Sequence, residues 1–358
     1  MHSPDPIELR AVVEHLSRQW PNRNSNLPTH REAAAWIEGK LNALGLPVEM
    51  MEYPLVPGPR VVSESAVQVV ATLPGTDLAN ERLIVSAHLD TINWTDRVND
   101  PYGINAPSPG ANDDASGLAC VLECARILRD LQPRRTIQFV LFSGEEQGLL
   151  GAKWLAQRAA AEGWNITAVL NNDMIANAVD DHGRSETQRV RVLSPEGRSR
   201  DLARWMHWEM PDHVKLIFRH DRFGRGGDHT PFNQAGFTAV RMTEVCENYG
   251  RQHTPQDTTE FMDFDYLARV TDLNAQTLAR LALASPEVTN VKVDPTQGYG
   301  ARITWEGDGA QWLYWRDTTS PVWEGRVAVT GNEAVVAEPH KDDAIFAVST
   351  GGIPVEAL

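Results

Sequence analysis

Asp113 and Asp114 stand side by side in the segment Gly110 to Gly117, GANDDASG, directly ahead of an apolar run at helical spacing: Leu118, Val121, Leu122, Ala125 and Leu128. Two adjacent like charges repel. A chain tolerates them as a capping pair at a helix start, where the helix dipole favours anions, or holds them against a cation. Other segments offer groups that could share such a cation: His88 and Asp90 in SAHLDT, Glu145 and Glu146 in FSGEEQGLLG, Asp173 in NNDM and His253 in QHTPQDT. Taken singly, each reads as a solvated loop residue or a turn former.

Together, His88, Asp113, Glu146, Asp173 and His253 form a donor set of imidazoles and carboxylates without thiolate. That set suits a hydrolytic zinc or a related dication rather than a closed structural zinc. Three carboxylates balance two dications and one bridging hydroxide, whereas a single dication would leave the site anionic, so a pair of ions is expected. Asp113, with two oxygens and an exposed position before a helix, is the natural bridge. His88 and Asp173 are expected to serve the opposite ion from Glu146 and His253, in a division that spacing does not settle. Glu145 is left over. Neighbouring side chains on a strand point to opposite faces, so both glutamates reach one site only if the strand has ended, which Gly144 and Gly148 permit. Glu145 is then free to take a proton from the attacking water and deliver it to a leaving amine.

The elements that must position these groups follow from periodicity. Residues 1–80 read as an approach segment, with helices at Ile7 to Gln19 and at Thr29 to Leu44, the second capped by Thr29 and closed by Gly45, then strands at Val48 to Leu55 and Val61 to Leu73. From Glu81 short buried strands (Leu83 to Ala87, Thr136 to Phe142, Ala168 to Asn171, Thr238 to Met242) alternate with helices (Ser116 to Leu131, Leu149 to Ala161, Ser199 to Met210, Phe264 to Ala284). Such alternation implies an α/β fold with a mixed, largely parallel sheet flanked by helices. Sites in that architecture gather beyond the carboxyl ends of strands. His88 and Asp90 follow the first strand, Glu145 and Glu146 the second and Asp173 the third, with His253 in the loop beyond the fourth.

Residues 1–284 are therefore read as one domain and residues 285–358 as a second, after a short link at Ser285 and Pro286. The tail carries strand-like runs at Val288 to Val293, Ala301 to Trp305, Gln311 to Arg316, Arg326 to Val329, Glu333 to Ala337 and Ile345 to Ser349, the pattern of a small C-terminal β-sandwich. It resembles a fibronectin type III module, with Trp305 and Tyr314 in the places of that module's core aromatics. Trp305, Trp312, Trp315 and Trp323 are read as packing residues before a binding face.

Composition narrows the partners. The chain has 358 residues and a formal net charge of -15, and it lacks the clustered Lys and Arg that phosphate binding needs, so neither nucleic acid nor an anionic membrane is expected. Its apolar runs are too short to span a bilayer. The start, MHSPDPIELR, lacks the basic-then-apolar pattern of a secretory leader; the expectation is a cytoplasmic protein, or one whose leader has been replaced. Its three cysteines, Cys120, Cys124 and Cys246, cannot all pair with one another, and Cys120 and Cys124 are expected as buried thiols.

The ordered series SAHLDT, GANDDASG, FSGEEQGLLGA, NNDM, GDHTPF and QHTPQDT resembles the successive motifs of the M28 family of co-catalytic zinc aminopeptidases, over roughly Glu81 to Ala284. The resemblance implies a zinc-exopeptidase-like fold, two zinc ions on His88, Asp113, Glu146, Asp173 and His253, and Glu145 as general base. It further implies that Asp90 orients His88, and that an unusual peptide geometry joins Asp113 to Asp114 so that Asp113 can bridge. The activity implied is removal of the N-terminal residue from peptides with a free amino end, through a hydroxide shared by the two ions. Where some members place a tyrosine to steady the oxyanion, this chain has RFGRGG, leaving Arg225, His229, Tyr249 or the metal itself for that role; Arg225 and Arg241, each taken alone, read more readily as ion-pair partners. Ile175, Phe223 and Tyr249 are candidate pocket residues. The competing readings are a single-zinc glutaminyl cyclase or a carboxypeptidase on the same fold, and a non-catalytic peptide-binding protein.

Overall fold

The computed structural model describes residues 2–210, 212–221 and 226–357. Arg222, Phe223 and Arg225 lie outside the described residues. The order of elements is α1 (Pro6–Gln19), α2 (Pro28–Ala43), β1 (Val48–Pro54), β2 (Ser65–Leu73), β3 (Leu78–His88), α3 (Ala115–Leu128), β4 (Arg135–Phe142), α4 (Leu150–Ala161), β5 (Asn165–Asn172), β6 (Arg189–Leu193), α5 (Arg198–Glu209), β7 (Lys215–Arg219), α6 (His229–Gln234), β8 (Ala239–Glu244) and α7 (Phe264–Leu283). The tail adds β9 (Thr289–Val293), β10 (Ala301–Glu306), β11 (Trp312–Asp317), β12 (Gly325–Ala328), β13 (Glu333–Val336), β14 (Ala344–Ser349) and β15 (Val355–Glu356).

Eight strands form one mixed sheet in the order β1-β2-β4-β3-β5-β8-β6-β7. Its centre, β4-β3-β5-β8, is parallel throughout, so these strands end at one edge. Antiparallel β1 and β2 flank it on one side, and β6 runs antiparallel to β8 on the other. Side chains alternate between two cores, as the period of a strand requires. Leu83, Val85, Ala168 and Leu170 pack beneath α1, α2, α3 and α7; Ile84 and Val169 pack beneath α4 and α6. Helix α3 is buried at nearly every position, which fits a small and apolar sequence broken by charge only at Glu123 and Arg126. Gly117 lets its first turn reach the end of β5, because a Cβ there would lie 2.6 Å from the carbonyl oxygen of Asn172.

Several sequence expectations need correction. Thr29 does not cap α2: the capping position is Leu27, Pro28 takes the first turn, and the Thr29 hydroxyl donates to the carbonyl of Asn22 at 2.6 Å. The outer strands β6 and β7, of which β7 is the edge, the short helix α6 and the two-residue β15 depart from the sequence expectation. In the tail, two antiparallel sheets, β13-β10-β9 and β12-β11-β14-β15, share a core containing Trp305, Leu313, Phe346 and Val348. Tyr314 is buried but lies outside that core. Being next to Leu313 on β11, it points through the opposite face, where it joins Trp323 and Ala347 against Trp208 of α5. Trp305 and Trp323 are packing residues, as expected, and all three cysteines are buried free thiols.

Candidate active site

The parallel strands deliver their donors to one edge. His88 is the last residue of β3 and Asp173 the first after β5; Glu145 and Glu146 lie in the turn after β4, and His253 lies in the loop after β8. Between them sits Asp113. It is not exposed, as its place in the sequence suggested, but 95% buried (5% accessible), because the turn before α3 folds under the loop carrying Asp257. Its two oxygens face different imidazoles: His88 Nε2 lies 3.0 Å from Asp113 Oδ1, and His253 Nε2 lies 3.1 Å from Asp113 Oδ2. Asp173 Oδ1 is 3.8 Å from His88 Nε2, and Glu146 Oε1 is 3.0 Å from His253 Nε2. All five residues with donor atoms thus converge, His88 and Asp173 at one end and Glu146 and His253 at the other.

The backbone around Asp113 is held as firmly as its side chain. Its amide and that of Asn112 donate to the two carboxylate oxygens of Asp257, at 3.0 and 2.9 Å, and Gln252 Nε2 donates to Asp113 Oδ2 at 2.8 Å. The peptide bond from Asp113 to Asp114 is cis, in line with the unusual geometry the resemblance implied. Asp114 turns the other way, accepting from the amides of Gly117 at 3.0 Å and His88 at 3.1 Å. One residue of the pair caps α3 and the other faces the histidines. Gln252 and Asp257 belong to the QHTPQDT segment; only their nearness to His253 could have singled them out.

Asp90, expected to orient His88, meets it through the main chain. Its carbonyl oxygen is 3.0 Å from His88 Nδ1, whereas its carboxylate is 3.9 Å away. That carboxylate accepts the amides of Glu145 and Glu146, each at 3.1 Å. Gly144, at φ +71°, makes the sharp exit from β4 that brings both glutamates to this edge.

Glu145 is one of several buried carboxyls shifted upward. Loss of water around it, with Glu146 and Asp173 nearby, pushes its carboxyl well above the ordinary range. Burial would lower both imidazoles, yet the facing carboxylates outweigh it, holding His88 well above its usual value and His253 at about 11. Buried, mutually repelling carboxylates that draw protons onto imidazoles form a place where a cation is favoured, and one donor atom each from His88, Asp113 and Glu146 lie within 4.8 Å of one another. The residues present fit a divalent ion by both donor type and spacing.

Of the remaining candidates, Arg241 is buried and pairs with Asp173 at 3.1 Å. His229 is buried with Nε2 3.1 Å from Asp221, and Tyr249 is largely exposed. Ile175 belongs to the main core rather than a pocket. The cavity beside Asp113 is instead walled by Asn112, Met174, Asn177, Arg251, Phe261 and Met262.

Known proteins resemble this chain in sequence and in fold. A probable zinc metalloprotease of Pyricularia oryzae is 33% identical, the match covering 98% of this chain and 80% of that one. The fold resembles BSAP, a zinc aminopeptidase from Bacillus subtilis, with a TM-score of 0.62 at 14% identity, covering 77% of this chain and 94% of that one. It also resembles a glutaminyl cyclase of Fimbriiglobus ruber, with a TM-score of 0.60 at 20% identity over 77% of this chain and 95% of that one. The class so defined is a metal-dependent peptide hydrolase. Residues 68–278 match peptidase family M28, and the chain belongs to that family.

Proposed function

We propose that this enzyme is a two-metal aminopeptidase that removes the N-terminal residue of peptides. The observation that carries the reading is the division of Asp113: one oxygen faces the His88 and Asp173 end of the site, and the other faces the Glu146 and His253 end. In this reading Asp113, His88 and Asp173 would hold one divalent ion, and Asp113, Glu146 and His253 a second; zinc is the choice the relatives' names support. Such ions, when bound, acidify water and polarise a carbonyl.

The chain's own groups do the rest. Glu145, made more basic by its burial, accepts a proton as its carboxylate from the attacking water and passes it to the departing amine. Asp90 fixes the backbone of Glu145 through the amide it accepts, so the proton carrier is set by hydrogen bonding rather than by a free loop. The acidic edge offers the substrate's ammonium group an anionic environment.

The test is a panel of aminoacyl reporters run beside the same peptides with acetylated amino ends, together with metal counting after removal of loosely held ions. The reading expects cleavage of free N-termini only and about two ions per chain. A single-ion glutaminyl cyclase is the second reading, suggested by the likeness to the Fimbriiglobus ruber enzyme. One tightly held ion, with cyclisation of N-terminal glutamine and no peptide cleavage, would establish it instead.

A further inference from the structure

Arg23 lies in the segment between α1 and α2, outside the stretch that matches the family. It is fully buried, and among the described residues it has no salt bridge. Its guanidinium is instead spent on backbone oxygens from three parts of the chain. Nε donates to the carbonyl of Leu89 at 3.0 Å, Nη2 to that of Gly110 at 2.9 Å, and Nη1 to that of Pro109 at 2.7 Å, with longer contacts from Nη1 to Leu16 and Trp20 at 3.4 and 3.3 Å.

Two of these oxygens occupy telling places. Leu89 stands between His88 and Asp90. The carbonyl of Gly110 also accepts the amide of Ala115 at 3.0 Å, so it closes the turn that contains both Asp113 and Asp114. Arg23 therefore joins the His88 segment to the Asp113 turn, the two segments whose side chains must meet at 3.0 Å. Its own amide donates to Thr91 Oγ1 at 2.9 Å, which fastens the same region again. A buried cation without an ion pair is costly, and here Asp257, Asp114, Asp90 and Asp113 lie close enough to favour its charge.

We propose that Arg23 is a positioning residue for the metal centre: its planar fork sets the spacing between His88 and Asp113, so the amino-terminal segment completes the site rather than merely covering it. The inference rests on the two-metal reading given above. A lysine carries the charge as a point with no fork and cannot span carbonyls approaching from three directions, so Arg23→Lys and Arg23→Met should fail alike.

The experiment measures zinc affinity of the apoprotein by chelator competition, alongside kcat and KM, for wild type, Arg23→Met, Arg23→Lys and a control, Leu41→Ala, which truncates the core beneath α2. Both Arg23 variants should lose about tenfold or more in zinc affinity, the scale of an outer-sphere change, and in kcat more than in KM, while Leu41→Ala should lower the melting temperature and leave zinc affinity within about twofold. If the folded Arg23 variants bind zinc as tightly as wild type, the inference falls. Should Arg23→Met not fold, Arg23→Lys decides by the same criterion. Failure of wild type itself to bind zinc would overturn the two-metal reading instead, a separate outcome.

Discussion

The carboxylates of Asp113 and Asp114, neighbours across one cis peptide bond, face in different directions: Asp113 lies between His88 and His253, and Asp114 caps α3 while holding the amide of His88. Their substitutions should therefore fail in different ways. Asp113→Asn keeps the shape but removes the charge between the imidazoles, so metal affinity should fall by at least about a hundredfold. Asp114→Ala removes the cap and orphans buried amides, so it should cost about 2 to 4 kcal/mol in urea unfolding of the metal-free protein. Equal losses of metal affinity in the two variants would contradict this division.

Glu145→Gln separates proton transfer from metal binding. The amide preserves size and leaves the backbone contact with Asp90 intact, but it cannot accept a proton at neutral pH. Turnover should drop by about 10²- to 10⁴-fold while metal content measured by elemental analysis stays near the wild-type value. Wild-type turnover in this variant would remove Glu145 from the mechanism.

What the sequence revealed and what it hid follow from the range of the interactions. The helix after GANDDASG and the buried parallel strands carry their pattern within a dozen residues, so their spacing announces them. So do the glutamates placed behind Gly144. The short strands β6 and β7, RVRVL and KLIFR, intersperse arginine and lysine with apolar residues at a length too short to stand out. Thr29 looked like a cap because its type is right, yet its hydroxyl bonds to Asn22. The buried state of Asp113 and the cradle made by Asp257 depend on a loop 144 residues away, and Arg23 holds carbonyl oxygens, which leave no mark on side-chain pattern.

His30 gives a pH dependence away from the site. It is fully buried, neither ring nitrogen has a hydrogen-bond partner among the described residues, and burial depresses its pKa to about 3. The unfolded chain, with a pKa near 6.5, binds the proton first, so the stability contributed by neutral His30 is complete above about pH 6.5 and is lost as pH falls toward 3. The slope for one proton is about 1.4 kcal/mol per pH unit. Replacing His30 with leucine should therefore raise stability relative to wild type by ~2 kcal/mol more at pH 5.0 than at pH 7.5, read by denaturant unfolding of the metal-free protein. A pH-independent difference would show that His30 does not titrate on unfolding.

Glu209, the last residue of α5, ties the tail sheets to the larger one. Its carboxylate accepts the Tyr314 hydroxyl at 2.7 Å and the Arg280 guanidinium at 2.8 Å, and it pairs with Arg326, which lies over the Trp312 ring at 4.0 Å. Arg280 and Arg326 remain partly exposed, so solvent screens the charge–charge share; the phenol, buried against Trp208 and Trp323, has no such relief. Glu209→Ala should thus cost about 1 to 3 kcal/mol, most of it from the stranded Tyr314 hydroxyl. Adding Tyr314→Phe to Glu209→Ala should recover part of the loss, because no buried donor is then left without an acceptor. Tryptophan fluorescence in urea is suited to the measurement, since Trp208, Trp312 and Trp323 surround the contact. If the double variant is no more stable than Glu209→Ala, the ion pairs rather than the phenol hold the junction.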